Sequence, residues 1–190
     1  NDKEIAWLTE TEVNFWAQTF KTVDFNDKDA PALTVLGSVL RNGYLHTAIR
    51  EKGGAYGAGA LQDMNTGTFK FFSYRDPNLS ETFNAFDESI NWALKSITKE
   101  KLHEGILNVI SSIDKPSSPA SEALSDFNSN KNGFTQNKRK KFRENILSTS
   151  IDQLVKVTEK YLCNNRSRSV LSNNNSQDEL SSLGFKLTAV

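Results

Sequence analysis

The sequence predicts an α+β fold, an antiparallel sheet covered by helices on one face. Three observations predict it: strand-like runs at both ends, a hairpin signature near residue 65, and a long middle stretch that keeps the helical period.

The first strand lies in "VNFWAQTFKTVDF" at residues 13–25, rich in β-branched and aromatic side chains, with Val13, Phe15 and Ala17 on alternate positions. Pro31 then opens a segment in which Leu33, Leu36, Leu40, Tyr44 and Ala48 recur every three or four residues. That is an amphipathic helix, and the Gly53-Gly54 pair ends it. The runs "AYGAGALQDM" and "TFKFFSY" flank the turn-forming cluster Asn65-Thr66-Gly67, which makes a β-hairpin. Arg75-Asp76-Pro77-Asn78 is turn chemistry, and Asn78 with Glu81 has the form of a capping box. It precedes a helix carrying Leu79, Phe83, Phe86, Ile90, Ala93 and Ile97.

A second helix spans Lys99–Ile113, where Leu102, Ile106, Val109 and Ile113 hold the period, and the Pro- and Ser-rich stretch at 114–119 breaks it. Further helices fall at 120–130 and 136–147, and Ser150 with Gln153 caps another that runs to about residue 162. Each of the three carries an apolar stripe. The end reads as a strand at 168–172, a short helix opened by Ser176 with Glu179, then Gly184 and a strand at 185–190.

The length of 190 residues suits one domain over 1–190. Lys plus Arg and Asp plus Glu each number 23, so no global field draws the chain to nucleic acid or an anionic membrane. Hydrophobic residues make up 37% of the chain, enough for a core but lean, which suits a piece with a large wet surface. Cys163 is the only cysteine, so no disulfide framework forms within the chain and a reducing compartment or organelle matrix is permitted. No apolar run reaches the length of a membrane span, and no leader pattern is present in this stretch. The chain begins at Asn1 rather than methionine and reads as a piece of a longer protein.

A hydrolytic zinc site needs two or three converging ligands, commonly two histidines one helical turn apart. The two histidines, His46 and His103, are far apart. His103-Glu104 starts like HExxH but position 107 is leucine, and no second histidine completes HxxEH around His46. The expected metal ligands are therefore none.

The informative stretch is "YLHTAIREKGGAYGAGA" at residues 44–60. A helix ends near Arg50, Gly53-Gly54 turns the chain, and Tyr56 leads into a strand in which Gly57 and Gly59 leave the backbone open to close approach. An extended peptide added to such a strand edge is a recognised mode of peptide capture.

This stretch resembles the C-terminal half of insulinase/pitrilysin-family zinc metallopeptidases, in the presequence protease and falcilysin branch, where a helix is followed by R-x-x-G-G-A-Y-G. Arg50, Gly53, Gly54, Ala55, Tyr56 and Gly57 match in order and spacing. The resemblance continues through "FFSYRDPN" at 71–78, the break at 114–119 and "RKKFRENILSTS" at 139–150. It implies an insulinase/LuxS-like metallohydrolase domain that lacks zinc itself. The zinc and its HxxEH ligands would belong to an N-terminal catalytic half of the same parent chain, the implied partner. Arg50 and Tyr56 would be the catalytic contributions of this half, holding peptide carbonyls near the scissile bond. Gly53, Gly54, Ala55 and Gly57 would line the substrate strand. The substrates implied are short or unfolded peptides, and the isolated piece would be inactive.

Three other readings compete. Gly54, Gly57 and Gly59 could suggest a phosphate loop, but a helix precedes them and a hairpin follows, the reverse of a dinucleotide fold. Lys138, Arg139, Lys140, Lys141 and Arg143 could suggest nucleic-acid binding, though Phe142, Ile146 and Leu147 make them the solvated face of a helix. The third is an inert scaffold domain of the same superfamily, against which the presence of both Arg50 and Tyr56 argues.

Overall fold

The computed structural model describes residues 3–189. Six strands form one sheet: β1 (Glu4–Thr9), β2 (Asn14–Lys21), β3 (Gly57–Asp63), β4 (Thr68–Asp76), β5 (Arg166–Asn173) and β6 (Lys186–Ala189), in the order β3-β4-β2-β5-β1-β6. The β3-β4, β4-β2 and β2-β5 pairs are antiparallel, as expected. β1 inserts parallel between β5 and β6, so the sheet is antiparallel over one part and parallel at one side. β1 has no alternation in its residues, Ile5-Ala6-Trp7-Leu8 being apolar throughout, although the fold buries Ala6 and Leu8 and exposes Trp7. The last strand stops at Ala189, and Val190, which the sequence places in it, lies outside the described residues.

Helices cover one face. They are α1 (Ala30–Leu40), α2 (Ser80–Lys95), α3 (Lys99–Ile113), α4 (Pro119–Lys131), α5 (Gln136–Leu147), α6 (Ile151–Val157) and α7 (Gln177–Ser182). Along β2 the residues buried beneath them are Asn14, Trp16, Gln18 and Phe20, whereas Phe15, Ala17 and Thr19 point to the uncovered face. The alternation of Val13, Phe15 and Ala17 is real but marks the wrong side of the strand. Gln18, fully buried, interrupts the apolar series that would have marked the right one. Trp16 meets Phe83 of α2 edge-on at 4.3 Å, and Phe71 of β4 lies 5.4 Å from Phe86 of the same helix. These aromatic contacts are the centre of the sheet–helix interface.

The helix predicted from Pro31 to Gly53 exists but changes its winding. α1 continues without a break into a wider π-helical turn over Arg41–Lys52. Gly37 of α1 lies against β3 so closely that a Cβ there would sit 3.0 Å from the Leu61 Cα. Helix and edge strand are thus in backbone contact. α3 and α5 take their predicted bounds, and Ser150 with Gln153 forms the predicted capping box at α6.

Two local expectations are corrected. α4 buries no residue, and its apolar stripe, Leu124 and Phe127, stands in solvent at 62% and 65% exposure. Asn78 does not cap α2: Leu79 takes that position with no side-chain cap bond, and the Asn78 amide turns elsewhere.

Candidate functional site

The matched segment crosses from the π-wound helix to the edge strand β3. Winding with i→i+5 bonds advances each turn by one residue more than an α-helix, so side chains five apart come into register. His46 Nδ1 accordingly lies 3.4 Å from Glu51 Oε1, while Arg50 Nη1 donates to His46 Nε2 at 3.2 Å. A guanidinium can only donate, so in this contact Nε2 serves as the acceptor, while Nδ1 faces Glu51. The Glu51–His46–Arg50 chain orients one edge of the guanidinium and leaves its other donors to solvent; Arg50 is exposed.

The helix ends at Gly53, which keeps helical angles of φ −80° and ψ −16°. Its neighbour Gly54 takes φ +78° and reverses the chain. Only Gly54 therefore uses the left-handed region. Gly53 is required for a different reason, since a Cβ there would stand 2.6 Å from the Ile49 carbonyl oxygen. Gly54 N–H donates to the Arg50 carbonyl and Ala55 N–H to that of Ile49, both at 3.1 Å, which satisfies carbonyls that the helix end leaves open. Ala55 is buried at 2% exposure and anchors the turn.

Tyr56 follows, one residue ahead of β3, and its backbone N–H already donates to the Arg75 carbonyl at 3.2 Å. Its ring is 70% exposed on the uncovered face of the sheet. It packs edge-on against Tyr74 at 5.7 Å, and Tyr74 packs edge-on against Phe15 at 5.3 Å. Among the described residues the Tyr56 hydroxyl makes no hydrogen bond. The ring is thus held by aromatic contacts while its polar end projects outward.

β3 is an edge strand, pairing with β4 alone in the sheet order. Gly57 has nothing within 4 Å of where a Cβ would sit, so its position is open. Gly59 is not open in the same way: the Phe72 ring of β4 comes to 2.8 Å of that point. The expectation of open backbone holds at Gly57 and is corrected at Gly59, where the small residue makes room for this domain's own aromatic ring.

The remaining candidates do not converge here. His103 is exposed on α3, on a different element from His46, and no cluster of three or more His, Cys, Asp or Glu that could hold a metal occurs among the described residues. His46 is committed to Arg50 and Glu51. This donor set does not fit a zinc ion. In the basic cluster of α5, Arg143 makes a forked ion pair with Asp114 (2.6–3.2 Å), Arg139 pairs with Asp126 and Lys138 donates to Asn26 at 2.7 Å. Those contacts tie α5 to neighbouring segments. No helix among the described residues is long and apolar enough to cross a membrane.

Sequence reasoning missed the residues that hold this site. Glu51 and His46 are ordered around Arg50 by π winding, which the three-and-four spacing of apolar residues does not reveal. Tyr74 and Asn78 belong to the stretch "FFSYRDPN", whose turn chemistry was legible although its long-range partners were not.

Residues 4–170 match the family described as the PreP C-terminal domain. The curated relatives include mitochondrial presequence proteases; that of Mus musculus is 35% identical over 151 residues, 79% of this chain and 14% of its own length. That of Danio rerio is 37% identical over 151 residues, again 79% of this chain and 14% of the relative. The chain therefore spans about a seventh of the relatives it matches. Among solved structures, a peptidase M16 inactive domain from Pseudomonas fluorescens superposes with a TM-score of 0.68 at 14% identity, covering 91% of this chain and 44% of that one. At that identity the likeness shows the fold alone. With the family match over most of the chain and presequence-protease relatives above one-third identity, the chain belongs to the PreP C-terminal domain family.

Proposed function

We propose that residues 1–190 form the zinc-free C-terminal domain of a zinc metalloendopeptidase, completing an active site whose metal is held by an N-terminal half. The observation that carries this reading is the pairing of Arg50 and Tyr56. One turn of backbone holds both, each is exposed, and the Tyr56 hydroxyl points out of the domain with no partner among the described residues. A phenol and a guanidinium presented in this way suit a peptide that bridges two halves. Tyrosine donates through its hydroxyl at neutral pH and arginine keeps its charge and fixed fork of donors. Aimed at a peptide carbonyl, they stabilise charge as it develops on oxygen.

Gly53, Gly54, Ala55 and Gly57 set the backbone beside which the peptide runs. Gly57 offers an edge position with no side chain, where an extended substrate can approach and add to β3. The substrates are short or unfolded peptides, since only a chain without its own secondary structure can lie along a strand edge. By itself the domain hydrolyses nothing. A mitochondrial compartment fits the names of the relatives and the lone cysteine. The second reading, an inert scaffold domain, draws on the fold shared with the inactive Pseudomonas fluorescens domain.

Tyr56→Phe separates the two. In the full-length protein, loss of one hydroxyl from an exposed ring leaves the melting temperature unchanged, and turnover of an unfolded peptide falls on the order of ten- to a thousandfold. Arg50→Lys keeps the charge but loses the planar fork, and lowers turnover, affinity or both. Parental turnover in both variants would leave the scaffold reading standing.

A further inference from the structure

The corner between β4 and α2 carries a polar network whose outermost contact reaches the candidate site. Asn78, in the "RDPN" stretch, is fixed from several sides. Its N–H donates to Asp76 Oδ1 at 2.9 Å, and its carbonyl accepts from Asn14 Nδ2 at 2.9 Å and Trp16 Nε1 at 3.0 Å. Asp76 is fully buried, and its Oδ2 accepts from Thr82 Oγ1 of α2 at 2.7 Å. Asn14 Oδ1 in turn accepts from Ser172 Oγ of β5 at 2.6 Å. β2 and β4 thus hold Asn78 directly, while β5 and α2 brace it through Asn14 and Asp76.

What that asparagine does with its own amide is unusual for its position. It does not cap α2; Nδ2 donates to the Gly53 carbonyl at 2.6 Å, with a longer contact to Asp76 Oδ1 at 3.3 Å. Gly53 lies 25 residues earlier in the chain, at the C-terminus of the π-wound helix that carries Arg50. Three residues before Asn78, the Arg75 carbonyl accepts the Tyr56 N–H at 3.2 Å. The corner therefore grips the Arg50–Tyr56 turn at both ends, at Gly53 and at Tyr56. Pro77 fills the space between, with its Cγ 3.6 Å from where a Cβ on Gly54 would stand. Arg75 adopts φ +50°, a left-handed conformation rarely taken by a residue other than glycine. Such a conformation persists where its surroundings over-determine it, and it clusters at functional sites.

We infer that Asn78 is a positioning residue for peptide hydrolysis: by clamping the Gly53 carbonyl it sets the angle between the Arg50 guanidinium and the Tyr56 hydroxyl. This rests on the reading of Arg50 and Tyr56 given above. Asn78 touches no substrate; it acts through the turn. Small errors in placing donors are costly, because a displacement of about 1 Å can cost on the order of a hundredfold in rate.

The test uses the full-length enzyme with Asn78→Ala, Asn78→Asp and Tyr56→Phe, singly and combined. Asp is close to isosteric but replaces the donor to Gly53 with an oxygen and sets a second carboxylate beside Asp76, so Asn78→Ala is the cleaner removal of the clamp. Both Asn78 variants lower kcat about ten- to a hundredfold with KM changed less than about threefold, since the loss falls on alignment. In the Tyr56→Phe background Asn78→Ala has a smaller effect than alone, because the hydroxyl it aligns is already gone. Hydrogen exchange at Gly54, Ala55 and Tyr56 speeds up in the Asn78 variants while exchange in α5 does not.

Full multiplicativity of the two losses, or parental kcat in folded Asn78 variants, overturns the positioning role. So does failure of both variants to fold, which would make Asn78 a support of the whole fold. Failure of the underlying reading looks different: Tyr56→Phe and Arg50→Lys would then cleave at the parental rate while exchange at 54–56 still rose in Asn78→Ala. Unchanged exchange at 54–56 removes the clamp itself.

Discussion

Gly53 and Gly54 stand side by side, yet the structure requires each for a separate reason, and the two reasons predict different responses to the same substitution. Gly54 has φ +78° and nothing nearer than Pro77 Cγ, at 3.6 Å, to an added Cβ. Alanine there has room but sits in the left-handed region, which costs about 1–2 kcal/mol. Gly53 has ordinary helical angles, but its Cβ would stand 2.6 Å from the Ile49 oxygen and 3.2 Å from that of Ala48. Both atoms are backbone and cannot swing aside, so alanine at 53 costs about 3 kcal/mol, the upper part of the overpacking range. For a chain of 190 residues 1 kcal/mol corresponds to about 2–4 °C, so Gly54→Ala lowers Tm by about 2–8 °C and Gly53→Ala by about 6–12 °C. Asparagine discriminates further, because it tolerates the left-handed region better than alanine. Gly54→Asn recovers most of the loss, whereas Gly53→Asn recovers none, since its Cβ meets the same oxygens. Thermal unfolding of the four variants measures this. If Gly54→Asn is as unstable as Gly54→Ala, or if Gly53→Ala is neutral, the geometry assigned to the turn is wrong.

Asp63, at the hairpin turn, has its carboxyl held down to about 2 by the hydrogen bond from Lys70, helped by Thr66 and by the backbone amides of Thr66 and Asn65. A carboxyl lowered on folding contributes stability above its unfolded value and loses it as pH falls through the folded one. Asp63→Asn therefore lowers stability above about pH 4, and the difference from the parent shrinks between about pH 4 and pH 2 in denaturant titrations; a constant difference across that window refutes the assignment. On α4, Leu124→Ser and Phe127→Ser change unfolding free energy by less than about 0.5 kcal/mol because both side chains stand in solvent. Ile146→Ala on α5, whose side chain is fully buried, costs about 2–5 kcal/mol by the same measurement.

Much of the architecture was legible because local rules and tertiary packing agree. α3 and α5 end where their apolar period ends, and the capping box at Ser150 forms as its sequence specifies. The errors arise where they disagree. β2 carries apolar residues on both faces, so alternation picks out a strand without saying which side is covered; the buried face includes Gln18, whose amide reaches Asp87 at 3.4 Å. β1 is a short strand held by parallel neighbours from the far end of the chain, Arg166–Asn173 and Lys186–Ala189. No local turn marks such a pairing. α4 shows the converse: an apolar stripe predicts burial only when another element is there to meet it.

The site divides in the same way. Arg50, the paired glycines and Tyr56 lie within seven consecutive residues, so a motif captures them. The forces that aim them do not run along the chain. Glu51 reaches His46 because the helix is wound wide, and the apolar spacing of the sequence does not signal that winding. Asn78 illustrates the limit most sharply. Three residues ahead of a glutamate and at the start of a helical period, it satisfies every local condition for a cap. Its N–H is taken by the Asp76 carboxylate and its carbonyl by Asn14 and Trp16, and its side-chain Nδ2 lies between Asp76 Oδ1 and the nearer Gly53 carbonyl at the helix end. An asparagine side chain can serve a cap by accepting through Oδ1 or a distant carbonyl by donating through Nδ2. Which it serves is decided by the two indole and amide donors of β2, on a strand more than sixty residues away.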